Sequence, residues 1–266
     1  MLLSLVIRMA ALSHADYPGG GGQLTHAAAL DLIAASDRAA AQSAHDRVFP
    51  ITTSGLRMDG SRPLSYVAVT PGDEAWMRVT VIGRPAAMAM LESLGASQVE
   101  LDIGRARFAV TGVALEPLHC GNPTTVDSLL EQAGAMSCPM SMAFTSPTHF
   151  ARRGIWLALP TPETVFGHAS ASGQGLVEHW TRAGGAGLGD FNGAFLGARI
   201  ISHQACVARV HARHRPADAF MGVAEYTADS DAHRRAMWAL GFLAQFAGVG
   251  ASRSMGMGQV AVSLPK

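Results

Sequence analysis

Two histidines in the first half of the chain have the chemistry to move a proton at neutral pH. His26 follows the glycine run Gly19–Gly22 on a helix predicted over 26–36, with Thr25 as its N-cap, and His45 ends a second helical patch. The helix N-terminus beside His26 is expected to lower the pKa of its imidazole and keep it neutral. Because the chain has eleven histidines, a purely structural role explains either residue equally well.

A glycine-rich segment near the C-terminus, G-V-G-A-S-R-S-M-G-M-G at 248–258, lies between a predicted helix and a final predicted strand. Glycines let a backbone approach a phosphate chain closely, and amides, hydroxyls and a guanidinium bind its oxygens. Dinucleotide and P-loop sites need the opposite order, from strand into helix, so both are disfavoured. A tight turn with positive φ explains the glycines about as well. The candidate binding residues are Gly248, Gly250, Ser252, Arg253, Ser254, Gly256 and Gly258.

Two predicted strands carry arginine on alternate residues. Arg105 and Arg107 share a face of the first strand, and Arg209 and Arg213 share a face of the second. A solvated sheet face explains either strand alone. Two such faces in a chain of zero net charge indicate a groove for a polyanion. An aromatic content of 6% favours recognition of the nucleic-acid backbone over base stacking.

The composition predicts an ordered, globular protein with no overall attraction to nucleic acid. Of 266 residues 48% are hydrophobic, and twenty Lys and Arg balance twenty Asp and Glu, so any polyanion site is local. The three cysteines form no C-x-x-C pair, which favours a reducing cytoplasm over a disulfide framework or a zinc site. No H-E-x-x-H or G-x-S-x-G motif occurs, so neither a metal nor a cofactor is predicted. The apolar opening, broken by Arg8, predicts a first strand rather than a signal peptide.

The order of predicted elements is the same in the two halves of the chain. In the first half, strands at 2–9, 49–55, 64–70, 75–83, 99–103 and 105–114 alternate with helices at 26–36 and 85–95. In the second half, a helix from Thr124 precedes strands at 137–146, 191–202, 204–215, 219–226 and 258–264, with helices at 162–182 and 231–247. Each half approximates the order β-α-β-β-α-β, with additional strands beside the four of that unit. The sequence therefore predicts an α+β protein of two tandem ferredoxin-like domains, at 1–120 and 121–266, with the join inside 115–135.

Three patches carry a resemblance to a known family. The segment at 248–258, between helix and strand, resembles the glycine-rich motif of the RAMP superfamily of CRISPR-associated proteins. A-H-D-R-V-F-P-I-T-T-S at 44–54 and F-T-S-P-T-H-F at 144–150 are similar to two further elements of the endoribonuclease in that superfamily that processes CRISPR precursor RNA. The patches span nearly the full length, and the resemblance implies tandem ferredoxin-like domains.

The resemblance also implies metal-independent cleavage of CRISPR repeat RNA. The ribose 2′-OH attacks the adjacent phosphate and leaves 2′,3′-cyclic phosphate and 5′-OH ends. His45 matches the position of the family's catalytic histidine and is expected to be the general base. The RNA-contact candidates are Arg105, Arg107, Arg209, Arg213 and the residues of the glycine-rich segment.

The chain departs from the family pattern at the remaining catalytic positions. Leu30 and Asp31 stand where some members carry a tyrosine on the first helix, and Ile51 stands where some carry a lysine. Arg47 and His26 are the candidates that replace the acid and the charge stabiliser.

Two other readings stay open from the sequence alone. A non-catalytic RAMP subunit that binds guide RNA within an effector complex needs the glycines and arginines but not His45. A small-molecule enzyme with two ferredoxin-like domains fits the neutral charge and predicts a compact pocket. The expected partners are repeat RNA and other CRISPR effector subunits, with no membrane, and the expected state is a monomer or homodimer.

Overall fold

Two antiparallel sheets, one from each half of the chain, form the framework of the computed structural model. The structure describes residues 1–46, 51–137, 139–152, 155–172, 197–212 and 215–264. The strands are β1 Leu2–Ala11, β2 Ala15–Tyr17, β3 Ile51–Thr53, β4 Val67–Val69, β5 Glu74–Ile82, β6 Glu100–Ile103, β7 Ala106–Leu115, β8 Met140–Thr148, β9 Phe150–Arg152, β10 Ile155–Leu157, β11 Ala198–Ala212, β12 Arg215–Ala228 and β13 Val260–Ser263. The helices are α1 Gly22–Ser36, α2 Arg38–Asp46, α3 Arg84–Leu94, α4 Val126–Ala135, α5 Pro162–Ser172 and α6 Asp231–Ala247.

The first sheet has the strand order β3-β5-β1-β7-β6. Along the chain, β1, α1, β3, β5, α3 and β7 follow the β-α-β-β-α-β order, and β6 is an extra edge strand hydrogen-bonded to β7. The inward side chains of β1 and β5 are apolar, and α1 and α3 cover them. The second sheet has the order β11-β12-β8-β13, with α5 and α6 as its crossover helices. The predicted tandem ferredoxin-like fold is confirmed.

From Ala236 onward, helix α6 is buried on every side because it packs between the two sheets. Every residue from Ala236 to Ala247 is buried, and the helix contacts β1, β3 and β5 of the first sheet as well as β8, β12 and β13 of the second. A helix without a polar face is stable only where both sides are covered. Ser230 caps it, accepting a hydrogen bond from the His233 amide. The glycine-rich segment therefore starts from a rigid helix end at the boundary between the halves.

Several predicted boundaries are wrong for physical reasons. Helix α1 begins at Gly22 and not after Thr25, whose Oγ1 instead bonds Gly22 O and Ser54 O. The predicted break near residue 203 does not occur, because β11 is one strand that pairs with β12 along its length. Pro147 does not end β8, since it lies where the β8–β12 register shifts and no ladder amide is needed. The predicted strand 64–70 shortens to β4, which pairs with β2 outside the main sheet.

Some sequence predictions fall outside the described residues. These are the first part of the strand predicted at 191–202, the last part of the helix predicted at 162–182 and the loop at 183–189. No helix within the described ranges is both long enough and apolar enough to cross a membrane.

Candidate functional site

Two glycine-rich segments from opposite ends of the chain meet at the start of α1. A Cβ built on Gly22 would lie 2.0 Å from the carbonyl oxygen of Met255, and one on Gly256 would lie 2.6 Å from the amide nitrogen of Gly55. Met255 belongs to a short 3-10 turn, Arg253–Met255, in the middle of the C-terminal segment. Gly22 has ordinary helical φ and ψ, so close backbone approach and not positive φ requires glycine there. The contact fixes the C-terminal glycine loop beside the helix that carries His26.

The C-terminal glycine loop is folded back onto the connection between β8 and β9. The amide of Val249 donates to Gly258 O at 2.9 Å, and the amide of Ala251 donates to His149 O at 2.9 Å. Positive φ at 248, 250, 252, 256 and 258 lets the backbone reverse direction repeatedly. The glycines are buried, whereas Ser252 and Ser254 are half-buried. The tight turn therefore accounts for the glycines, and the polar centre of the loop still reaches solvent.

Arg253 lies beneath this loop. Its side chain points into the protein, the residue is 4% exposed, and Nη1 donates to Ala247 O at the C-terminus of α6 at 3.4 Å. Burial lowers the pKa of its guanidinium to about 10. A cation at a helix C-terminus satisfies a carbonyl that has no partner within the helix. This position does not favour the direct RNA contact predicted from the sequence, and it indicates that Arg253 supports the loop.

His26 and His45 come together because α2 folds back against α1. His45 is exposed near the end of α2, and His26 is half-buried in the first turn of α1. Burial lowers the pKa of His26, and the charge of His45 lowers it further. The Nδ1 atom of His26 is buried and has no hydrogen-bond partner among the residues that the structure describes. A neutral imidazole with its proton on Nε2 fits that environment, because Nδ1 then carries a lone pair and not an unpaired N–H.

Helix α1 is clamped to β3 beside His26. Thr25 Oγ1 donates to Ser54 O at 2.8 Å and lies 3.3 Å from Thr53 Oγ1. Arg47, the other candidate for the catalytic roles, lies outside the described residues. Among the residues that the structure does describe, no group of three His, Cys, Asp or Glu is arranged to hold a metal ion.

The free energy of unfolding is expected to fall as the pH drops below about 6.5, the ordinary pKa of histidine. Burial lowers the pKa values of His26, His149 and His168. The unfolded chain therefore binds protons that the folded chain excludes. The resulting stability is fully present above about pH 6.5 and is lost as the pH falls through the folded-state values. Urea denaturation at about pH 7.5 and about pH 5 measures the difference.

The variant His26→Asn is expected to reduce this pH-dependent difference, since it removes one of the three imidazoles whose pKa burial lowers. His14→Asn is the matched control, because His14 is exposed. An undiminished pH dependence in His26→Asn would show that the His26 imidazole is not held neutral by the fold.

A cleft of about 560 Å³ opens where the two glycine segments meet, and Arg209 lines it. The other lining residues are Pro18, Gly19, Gly21, Gly22, Gln23, Leu24, Leu64, Val210, Met255 and Met257. Arg209 is exposed, and its Nε lies 3.4 Å from Asp218 Oδ1 on the paired strand β12. An exposed pair of this kind is weak, so the guanidinium is able to turn toward a phosphate. Arg213, at the predicted tip of the same strand, lies outside the described residues.

The second arginine pair lies on the β6–β7 hairpin. Arg105 is exposed at the turn, where a Cβ on Gly104 would lie 2.8 Å from Leu24 Cδ1 in the first turn of α1. Arg107 is exposed two residues further along, on β7, and pairs with Glu100 at 3.5 Å. The structure thus places Arg105 and Arg209 near the start of α1, and it places Arg107 further along the edge of the sheet.

A buried polar network that the sequence does not predict joins the two halves. Arg78, on β5, donates from Nε to Glu116 Oε2 at 2.6 Å, from Nη1 to Gln259 Oε1 and from Nη2 to Gln245 O at 2.8 Å. Gln259 follows the glycine loop directly and also donates to Thr52 Oγ1 at 3.1 Å. The sequence signals for it are a single arginine inside the apolar run A-W-M-R-V-T-V-I and a glutamine inside the apolar helix α6. The network fixes the end of the glycine loop against the first sheet.

The second half of the chain matches a known family. The family model of the CRISPR-associated endoribonuclease Cas6 matches residues 142–260, a range that contains most of β8, all of α6 and the glycine loop. A search of curated proteins gives no significant match.

Solved structures match the fold over nearly the whole chain. A product complex of Cas6 (TTHB231), a protein of Thermus thermophilus, has a TM-score of 0.70 at 19% identity and covers 99% of this chain and 100% of its own. A product complex of Cas6 (TTHA0078) has a TM-score of 0.66 at 20% identity, with 98% and 100% covered. A Cas6-related protein from Pyrococcus furiosus has a TM-score of 0.61 at 10% identity, with 100% of both chains covered.

These matches confirm the resemblance predicted from the sequence: the chain matches the Cas6 endoribonucleases over residues 142–260 and has the tandem ferredoxin-like fold of Cas6 and related RAMP proteins over nearly its whole length.

Proposed function

We propose that this protein is an endoribonuclease that cleaves the repeat RNA of CRISPR precursor transcripts without a metal ion. The observation that carries the proposal is that α1, which carries His26 and packs against the His45-bearing helix α2, also meets the C-terminal glycine loop at Gly22, in a fold that matches Cas6. Solved relatives with this fold are named as product complexes of Cas6, which supports RNA as the substrate.

The proposed reaction is an internal transfer at the phosphate. The ribose 2′-oxygen forms a bond to the adjacent phosphorus as the bond from phosphorus to the 5′-oxygen breaks, giving a 2′,3′-cyclic phosphate and a 5′-OH end. His45 removes the proton from the 2′-oxygen, and its exposed position at the end of α2 leaves it accessible to RNA. The nucleophile is part of the substrate, so the residues have only to move protons and stabilise charge.

His26 is proposed to stabilise the negative charge that builds up on the phosphate. The lowered pKa keeps its imidazole neutral at pH 7, and Nδ1 is buried. Its Nε2–H therefore remains as a hydrogen-bond donor that costs little reorganisation as charge develops. The proton that leaves the 2′-oxygen is balanced by one gained at the 5′-oxygen, for which Arg47 and His26 are the predicted candidates.

The glycine loop and the arginines are proposed to bind the RNA backbone. Ser252 and Ser254 offer hydroxyl groups at the half-buried centre of the loop, and Arg209 projects into the cleft from β11. Arg105 lies near the same helix start and extends the positive surface. Arg253 is proposed to hold the loop in shape from below.

Removing the charges of β11 is expected to weaken RNA binding and its salt dependence. In Arg209→Ala combined with Arg213→Ala, the slope of log affinity against log salt is expected to decrease by about 0.7 for each phosphate that the protein no longer neutralises. Fluorescence anisotropy with labelled repeat RNA at several salt concentrations measures the slope. Arg199→Ala is the matched control, because Arg199 is exposed on the same strand but pairs with Asp229 at its far end.

An unchanged slope in the double variant would remove β11 from the RNA footprint. An equal decrease in Arg199→Ala would indicate general charge attraction and not a localised site.

Cleavage itself is tested by incubating the purified protein with end-labelled repeat RNA from its own CRISPR array in EDTA. The expected products carry a 2′,3′-cyclic phosphate and a 5′-OH, which are identified by their resistance or sensitivity to end-labelling enzymes. A requirement for added metal, or products with a 5′-phosphate, would contradict the proposed chemistry.

A further inference from the structure

An exposed tryptophan lies beside the glycine loop. Trp156, on the short strand β10, is 40% exposed, and its indole stacks on the ring of His149 with 4.5 Å between centroids and an interplanar angle of 3°. Parallel stacking of two flat rings presents the indole as a flat surface backed on one side. A large aromatic side chain held this way in solvent is typical of a binding contact and not of a core residue.

His149 connects this platform rigidly to the glycine loop. The residue is 1% exposed, and its carbonyl oxygen accepts from the Ala251 amide at 2.9 Å. A Cβ on Gly250 would lie 2.4 Å from that same oxygen, so the two backbones touch. Burial lowers the pKa of His149, which fits an imidazole held inside the protein beneath the indole. Any ligand on the loop therefore has the indole at a fixed position next to it.

We propose that Trp156 is a stacking platform for an unpaired base of the RNA whose backbone the glycine loop binds. This inference rests on the proposed function. Unpaired bases stack on aromatic side chains, while loop amides and hydroxyls bind the adjacent phosphates, so one nucleotide satisfies both neighbouring features. The flat ring pair and the backbone contact of His149 with the loop favour a base over a protein partner, although Ile155 and Leu159 nearby are also exposed.

The test compares variants of the full chain with an uncleavable repeat RNA that carries a 2′-deoxy nucleotide at the cut position. Trp156→Ala is expected to bind about tenfold more weakly, and Trp156→Phe to stay within about threefold of the unaltered protein. The salt slope is expected to stay unchanged in both variants, because stacking releases no counterions. Leu159→Ala is the matched control, an exposed apolar residue two positions beyond β10, and no change in RNA affinity is expected.

A second readout follows the indole directly. RNA is expected to quench a component of the tryptophan fluorescence that is missing in Trp156→Phe. Thermal unfolding of each variant shows whether the fold is retained, and Trp156→Phe keeps the test decisive if Trp156→Ala does not fold.

The outcomes of this test distinguish failure of the stacking site from failure of the proposed endoribonuclease function. Normal cleavage and unchanged affinity in Trp156→Ala would overturn the stacking site and leave the proposed function standing. A protein that neither binds nor cleaves repeat RNA would overturn both. A change in sedimentation in Trp156→Ala and Leu159→Ala without a change in RNA affinity would identify the patch as a protein interface and overturn the base platform.

Discussion

His45→Ala is expected to lower the single-turnover rate of repeat RNA cleavage by about 10²- to 10⁴-fold, the typical contribution of a general base. His45 is exposed at the end of α2, beside the half-buried His26, so its loss removes the proton acceptor without disturbing the core. RNA affinity is expected to stay within about twofold, because the loop and arginines that bind the backbone are unaltered. Cleavage is measured with enzyme in excess over end-labelled RNA, so that product release does not limit the rate.

His119→Ala is the matched control for this variant, since His119 is also exposed but lies in the connection between the two sheets. Its cleavage rate is expected to equal that of the unaltered protein. Normal single-turnover cleavage by His45→Ala would remove His45 from the mechanism. An equal loss of rate and of RNA affinity would assign it to binding and not to proton transfer.

Arg78→Met is expected to reduce the free energy of unfolding by about 3 kcal/mol, because it breaks a buried charge pair from one side. Arg78 is 9% exposed and donates to groups from three parts of the chain, namely Glu116, Gln259 and the carbonyl of Gln245. Methionine keeps much of the volume but leaves those acceptors without their donor. Glu116 keeps some contact with solvent and a hydrogen bond from Ser4 Oγ at 2.6 Å, which limits the loss. Urea denaturation measures the change.

Arg107→Met provides the comparison for this prediction. Its pair with Glu100 is exposed at both ends, and its loss is expected to cost less than about 1 kcal/mol. Because Gln259 follows the glycine loop, Arg78→Met is also expected to weaken RNA binding under conditions where the protein remains folded. A destabilisation by Arg78→Met no larger than that of Arg107→Met would show that the network contributes little to joining the halves.

The helices, the strands and their order along the chain are predicted by patterns among residues that are close in sequence. The spacing of Met237, Leu240 and Leu243 after the cap Ser230 predicts α6, and the structure has it at Asp231–Ala247. The repeated order of strands and helices predicts the two ferredoxin-like units. Each of these signals depends on periodicity and capping within one element, which is why sequence alone contains it.

Contacts between distant segments were not predictable in the same way. Position 22 requires glycine because the backbone of Met255 lies against it. No pattern within either segment predicts that the two segments are in contact. Arg253 looks like a phosphate ligand in the sequence, but the carbonyl at the end of α6 needs a donor and the loop buries its side chain. Such a role is decided by tertiary packing and not by residue type.

The low aromatic content of the sequence likewise does not indicate whether a single aromatic side chain lies at a binding surface. A low aromatic fraction argues against a base-stacking sheet, and that argument holds for the composition as a whole. It has no bearing on Trp156, whose position over His149 depends on how β9 and β10 pair beside the glycine loop. The meeting of His26 and His45 likewise depends on how α2 folds against α1.

The most direct test of the central claim is cleavage in EDTA of two repeat RNAs that differ only in the 2′-oxygen at the cut position. We expect the all-ribose RNA to be cut to a 2′,3′-cyclic phosphate product, and the 2′-deoxy RNA to be bound with similar affinity but to remain intact. Cleavage of the 2′-deoxy RNA at the same position would contradict attack by the 2′-hydroxyl. Binding of both RNAs without any cleavage would contradict the enzyme assignment itself.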